Sequence, residues 1–190
     1  ADISGLTIAD GYNAQSFGGA VLVNAGGKLD LSSCVFSNNS TAGAGGAIGT
    51  VGTLVVSNCT FIKNSALIYG GAVFIPPPGT GTISGSVFLN NVAGANSYGG
   101  AIGVYGTLRL TNCTISGNFA GQGGGISMTT QTGNTPTLKI GACTICSNSC
   151  GFGASAAGGG IWIAKGAAEI QNSIIADNNS SALGPDVYVS

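Results

Sequence analysis

The sequence predicts an all-β fold, a right-handed parallel β-helix (a solenoid) of about six to seven coils with three short strands per coil. Three observations predict it: one phrase repeated six times, apolar alternation inside the phrase, and 190 residues that include 35 glycines but only 6% charged side chains. Each phrase opens on Gly-Gly, runs through a short apolar strand, and turns into a second strand. It closes on a small residue, a large apolar residue and an asparagine. Gly45-Gly46-Ala47-Ile48 leads to Leu54-Val55-Val56 and then to Cys59-Thr60-Phe61-Ile62-Lys63-Asn64. Gly99-Gly100-Ala101-Ile102 leads to Leu108-Arg109-Leu110 and then to Cys113-Thr114-Ile115-Ser116-Gly117-Asn118. Helical repeats of similar length are excluded, because apolar residues alternate instead of recurring every three or four positions.

The elements follow in order. In the strand after each Gly-Gly pair, Val21/Val23, Ile48, Val73/Ile75, Ile102/Val104, Ile126/Met128 and Ile161/Ile163 share one side. In the next strand Leu29/Leu31, Leu54/Val56, Leu108/Leu110 and Leu138/Ile140 do the same. Between them stand Asp30, Val55, Thr82, Arg109, Lys139 and Glu169, a column holding most of the mid-strand charge and therefore facing water. The closing strand carries the large apolar column Phe36, Phe61, Phe88, Ile115, Ile145, Ile175, expected to stack in the core. Coils stacked about 4.8 Å apart make a rod roughly 30 Å long. The hand follows from the rule for parallel crossovers. Residues 1–190 form a single domain, expected to be a segment of a longer surface protein or a filament subunit because the end phrases carry no polar cap.

Glycines serve the corners, where backbone turns tightly. No Gly-rich stretch opens a helix, so a phosphate loop is excluded. The irregular stretches Pro76–Pro78, Thr129–Pro136 and Ser149–Ala157 swell the coils, and Thr129–Pro136 is expected to protrude beside Pro76–Pro78, both exposed. The column Asn39, Asn64, Asn91, Asn118, Asn148, Asn178 is unbroken and reads as a structural ladder of stacked amides. Asn38, Asn39, Asn58, Asn112, Asn178 and Asn179 also begin Asn-x-Ser/Thr triplets, the glycosylation reading of the same residues.

Six cysteines divide in two. Cys34, Cys59, Cys113 and Cys143 share a column with Ser86 and Ser173, which points to buried free thiols at a site requiring a small residue. Cys146 and Cys150 lie off that column, four residues apart; a turn that brings them together would allow a disulfide, which would imply an oxidising, extracellular compartment. No histidine is present, so neither a zinc site nor an ordinary nucleophilic triad is expected, and no cofactor. A polysaccharide hydrolase needs two carboxylates close together, and a lyase a base beside a calcium site. The carboxylates are Asp2, Asp10, Asp30, Glu169, Asp177 and Asp186, and no two read as neighbours in one column. The expectation is no enzyme. Five basic against six acidic residues give no footprint for nucleic acid. No apolar run reaches transmembrane length.

Gly-Gly-Ala-Ile followed by Phe-x-x-Asn resembles the paired motif of the chlamydial polymorphic outer-membrane proteins, which are autotransporter adhesins. The first motif stands at Gly45 to Ile48 and Gly99 to Ile102, the second at Phe36 to Asn39, Phe61 to Asn64 and Phe88 to Asn91. The chain is equally similar to secreted bacterial proteins with β-helix repeats, whose arrays end in phrases such as Asn172-Ser173-Ile174-Ile175-Ala176 and Gly184-Pro185-Asp186-Val187. The resemblance implies an extracellular or cell-surface location and a structural or adhesive role, with the chain itself or another surface protein as partner. A carbohydrate-binding module is the alternative, and ice-binding a lesser one: Thr60, Thr114 and Thr144 share a column that Val35, Val87 and Ile174 interrupt. The outward column Leu22, Gly49, Phe74, Gly103, Ser127, Trp162 carries large apolar residues. Leu22, Phe74 and Trp162 are therefore expected to form a contact face, for self-association, docking or sugar stacking, unless corner loops cover them.

Overall fold

The computed structural model describes residues 1–130, 133–151 and 156–190. The chain winds through four parallel seven-stranded sheets, in which each strand pairs with its counterparts in the adjacent coils, the first and last strand of each sheet on one side only. One coil shows the plan. Thr53–Ser57 lies in the first sheet, Thr60–Ile62 in the second, Ser65–Ala66 in the third and Val73–Ile75 in the fourth. The third sheet, of two-residue strands, is an addition to the three strands that the pattern predicts. Two residues are too few to display a period of two, so this sheet leaves no alternation to read.

Register is strict. Phe61 stands opposite Phe36 on one side and Phe88 on the other. Their rings stack at 5.0 and 4.7 Å, tilted by only 7° and 4°. Ile115 and Ile145 continue the stack fully buried, and Ile175 packs half-buried at its edge. The inward residues of the first and fourth sheets, among them Leu54, Val56, Ile48, Val73 and Ile102, close the same core.

Two corners of each coil turn on a single left-handed residue. Between the first and second sheets these are Ser33, Asn58, Gly85, Asn112, Ala142 and Asn172, with φ of 50 to 57°. Between the second and third they include Asn38, Lys63, Asn90, Gly117 and Ser147. Asparagine and glycine tolerate this region best, which explains their frequency there. The Gly-Gly corner is stricter still: a Cβ on Gly45 would sit 2.3 Å from the Ile48 carbonyl oxygen.

The swollen corners depart from expectation in part. Pro78 is exposed, as are Gly133 and Thr135, but Pro76 and Pro136 are buried. They are floor rather than protrusion: the Pro76 carbonyl accepts from Gly79 N, and the Pro136 carbonyl accepts from Ala167 N of the next coil. Ser149–Cys150 belongs to the third sheet rather than to an insertion. Residues 131–132 and 152–155 of the expected loops lie outside the described residues.

Candidate functional site

The most developed polar arrangement is internal. The asparagines of the ladder column are buried, and those from Asn39 to Asn148 each reach into the next coil. Asn64 N and Asn64 Nδ2 both donate to Asn91 Oδ1, at 2.9 and 3.0 Å. Asn91 repeats this on Asn118, Asn118 on Asn148, and Asn148 on Asn178. The second amide proton goes to a carbonyl one coil back, as from Asn91 to Phe61 O at 3.0 Å. Burial without such pairing would cost several kilocalories per group; here each carboxamide satisfies its neighbour. Of the glycosylation triplets, the ladder therefore withholds Asn39 and Asn178, whereas Asn38, Asn58, Asn112 and Asn179 are exposed.

The cysteine column is a second ladder, and smallness is not all it requires. Cys34 N donates to Cys59 Sγ at 3.3 Å, Cys59 N to Ser86 Oγ at 3.1 Å, Cys113 N to Cys143 Sγ at 3.4 Å and Cys143 N to Ser173 Oγ at 3.1 Å. Each side chain in turn donates to the carbonyl two residues before it, as Cys59 does to Ser57 and Ser86 to Ser84. The position calls for a small acceptor that is also a donor, which serine and cysteine supply and alanine does not. Burial pushes the Cys59 thiol up. The hydrogen bond with Cys143, together with burial, does the same to Cys113.

Cys146 and Cys150 do not pair; both are free thiols. Their side chains leave opposite faces. Cys146 is half-exposed on the outer face of the second sheet, its sulfur 3.7 Å from Ser116 Oγ, whereas Cys150 is buried in the third.

The expected contact face is largely closed. Leu22 is exposed, Trp162 is half-buried, and Phe74 is only 1% exposed. Residues just before the Gly-Gly corners fold over it. Phe17 and Tyr69 lie against Phe74 at ring distances of 5.4 Å, with Tyr105 edge-on at 5.2 Å. The outward glycines make the room: a Cβ on Gly49 would meet Phe17 Cβ at 2.4 Å, and one on Gly103 would meet Phe74 at 3.1 Å. Tyr69 stacks on Tyr98 and Tyr98 on Trp162, at ring distances of 5.5 and 4.9 Å. Burial pushes the Tyr105 hydroxyl up. The result is a satellite core outside the fourth sheet. Among the exposed apolar residues, Leu67, Ile68 and Val92 lie in the middle coils, on the third sheet and the corner that follows it, and others such as Ile174 and Val189 lie in the end coils.

Two carboxylates are neighbours after all. Asp2 stands opposite Asp30 in the first sheet. Asp2 precedes the first recognisable phrase, so its column is not evident in the sequence. Lys28 donates to Asp30 Oδ2 at 2.8 Å and holds that carboxyl below its ordinary range, the reverse of what a general acid needs. Glu169 is likewise held down by Lys139 at 2.9 Å. The threonine column lies on the outer face of the second sheet with Val87 and Ile174 in register, an interrupted array.

A family model described as a right handed beta helix region matches residues 2–138. The chain belongs to the right-handed β-helix family. This β-helix finds no match among the curated proteins or the solved structures. The family includes both enzymes and non-enzymes, so membership fixes the fold and leaves the activity to the residues.

Proposed function

We propose that this β-helix is a non-enzymatic, extracellular or cell-surface structural module with an adhesin-like role, whose partner is a second copy or another surface protein. One observation carries the reading. Many of the groups that could do chemistry already have partners: the ladder amides each other, the column thiols the backbone, Asp30 Lys28 and Glu169 Lys139. What remains outside is a nearly uncharged surface with exposed Leu67, Ile68 and Val92. Apolar residues gathered on an exposed surface mark protein contacts more often than chemistry. The test is light scattering and electron microscopy of the wild type and of Leu67→Ser/Val92→Ser, with circular dichroism to verify folding. Association that weakens in the folded variant supports the reading. A wild type that stays monomeric and binds no cell surface sinks it.

A polysaccharide-cleaving enzyme is the second reading, favoured by the Asp2–Asp30 pair. It requires release of sugar fragments by the wild type and loss of that release in Asp30→Asn.

A further inference from the structure

The asparagine ladder has a direction, and its last step is unlike the others. From Asn39 to Asn148, each residue donates its backbone N–H and its Nδ2 to an asparagine of the following coil. Asn178 makes the same two donations, but to Asp186 Oδ1, at 3.1 and 2.9 Å. Asp186 is only eight residues further on and lies in the same coil. It comes from the opposite corner. Ile48 N donates to Ala72 O, Val73 N to Ala101 O, Ile102 N to Gly125 O, Ile126 N to Gly160 O, and Ile161 N to Asp186 O. Asp186 thus occupies a column of alanines and glycines.

The column is small for a reason. A Cβ on Gly160 would lie 2.8 Å from Asn178 Nδ2 and 3.0 Å from its Cγ, because the ladder fills that space. At Asn178 the Asp186 side chain enters the place where the asparagine of a following coil would stand, and its Oδ1 accepts both donations. The substitution also matches the ladder's polarity. Every carboxamide of the ladder turns its oxygen to the preceding coil and one of its two N–H groups toward this end, so the stacked amide dipoles present their positive pole to Asp186. An anion suits that pole for the reason that a carboxylate suits the N-terminus of a helix.

We propose that Asp186 is an anionic cap that closes the asparagine ladder from within the coil of Asn178, supplying as a carboxylate the acceptor that a further asparagine would supply. Any coil stacked on this one, of the same chain or of a second copy, then finds the ladder donors of Asn178 already taken, and has only the sheet edges to read.

The test is native-state hydrogen exchange at the Asn178 backbone amide, with urea unfolding, for wild type, Asp186→Asn and Asp186→Ala. Asp186→Ala raises Asn178 exchange at least tenfold. Asp186→Asn, which keeps an acceptor oxygen, stays within tenfold of wild type. Sodium formate, at an ionic strength matched with chloride, restores protection in Asp186→Ala and leaves wild type unchanged. Unaltered exchange in Asp186→Ala overturns the proposal, and so does loss in Asp186→Asn as large as in Asp186→Ala. If Asp186→Ala does not fold, Asp186→Asn decides: a loss of protection beyond tenfold overturns the cap.

Discussion

Removing one rung from the middle of the ladder should cost more than removing a surface asparagine by a margin that can be worked out. In Asn91→Ala, Asn64 N and one proton of Asn64 Nδ2 lose the Oδ1 acceptor at 2.9 and 3.0 Å. The Phe61 carbonyl loses its side-chain donor, and Asn118 Oδ1 loses one of two. Asn64 and Asn91 are both fully buried, so water does not replace the missing partners. Each orphaned buried donor costs about 1–3 kcal/mol, and two of them give roughly 2–6 kcal/mol. Asn90 is the control. It is exposed, it turns the corner at φ 54°, and Gly117 holds the same place one coil later. Asn90→Gly should therefore change stability by only a few tenths of a kcal/mol, about the Gly-for-Asn difference seen at caps. Urea unfolding followed by Trp162 fluorescence measures both, and hydrogen exchange at Asn64 N locates the damage. Coil-by-coil fraying makes the local readout the more direct one. A loss below about 1 kcal/mol for Asn91→Ala, or equal losses for the two variants, would refute the account of the ladder as paired buried amides.

Three further outcomes are expected. Phe61→Ala, which takes the middle ring from the stack, should cost roughly 3–5 kcal/mol by urea unfolding, and a cost near zero would contradict its burial. Cys143→Ser should be nearly neutral and Cys143→Ala should cost about 1–3 kcal/mol, because only alanine leaves Cys113 N without its acceptor; equal costs would reduce the column to a size requirement. Burial raises the Cys59 and Cys150 thiols, so the folded state holds their protons after the unfolded chain has released them. Their stabilisation is complete below the ordinary thiol range and fades as pH climbs through it toward the folded values. The urea midpoint should fall between about pH 7 and about pH 10, and the fall should be shallower in Cys59→Ser/Cys150→Ser. An identical slope in that variant would show the thiols to be idle.

Much of the coil is legible in the sequence because buried columns repeat. Phe36, Phe61 and Phe88 announce their stack, since a strand with one buried face admits one register. The missing parts have local causes. Two-residue strands such as Ser65–Ala66 carry no period. The covering of Phe74 depends on Phe17, Tyr69 and Tyr105, which lie outside the repeated columns and differ from coil to coil. The hollow at Gly103 that receives Phe74 reads in the sequence as an ordinary small residue of the outward column. Cysteine alternating with serine was a signal for hydrogen bonding as well as for size, and only the first-sheet carbonyls and neighbouring amides reveal which.

The two left-handed corners also divide the circumference into a fixed spine and an adjustable flank. Leu29 stands ten residues before Asn39, and the same interval separates Leu54 from Asn64, Gly81 from Asn91, Leu108 from Asn118 and Leu138 from Asn148. From Asn39 to Gly45 is six residues, yet from Asn148 to Gly158 it is ten; from Gly99 to Leu108 is nine, yet from Gly123 to Leu138 it is fifteen. All growth has been taken on one side of the rod. That side is where foreign sequence is best grafted, between Met128 and Thr137 above all. The first two sheets and the ladder would keep their spacing under such an insertion, because nothing in them measures the length of the flank.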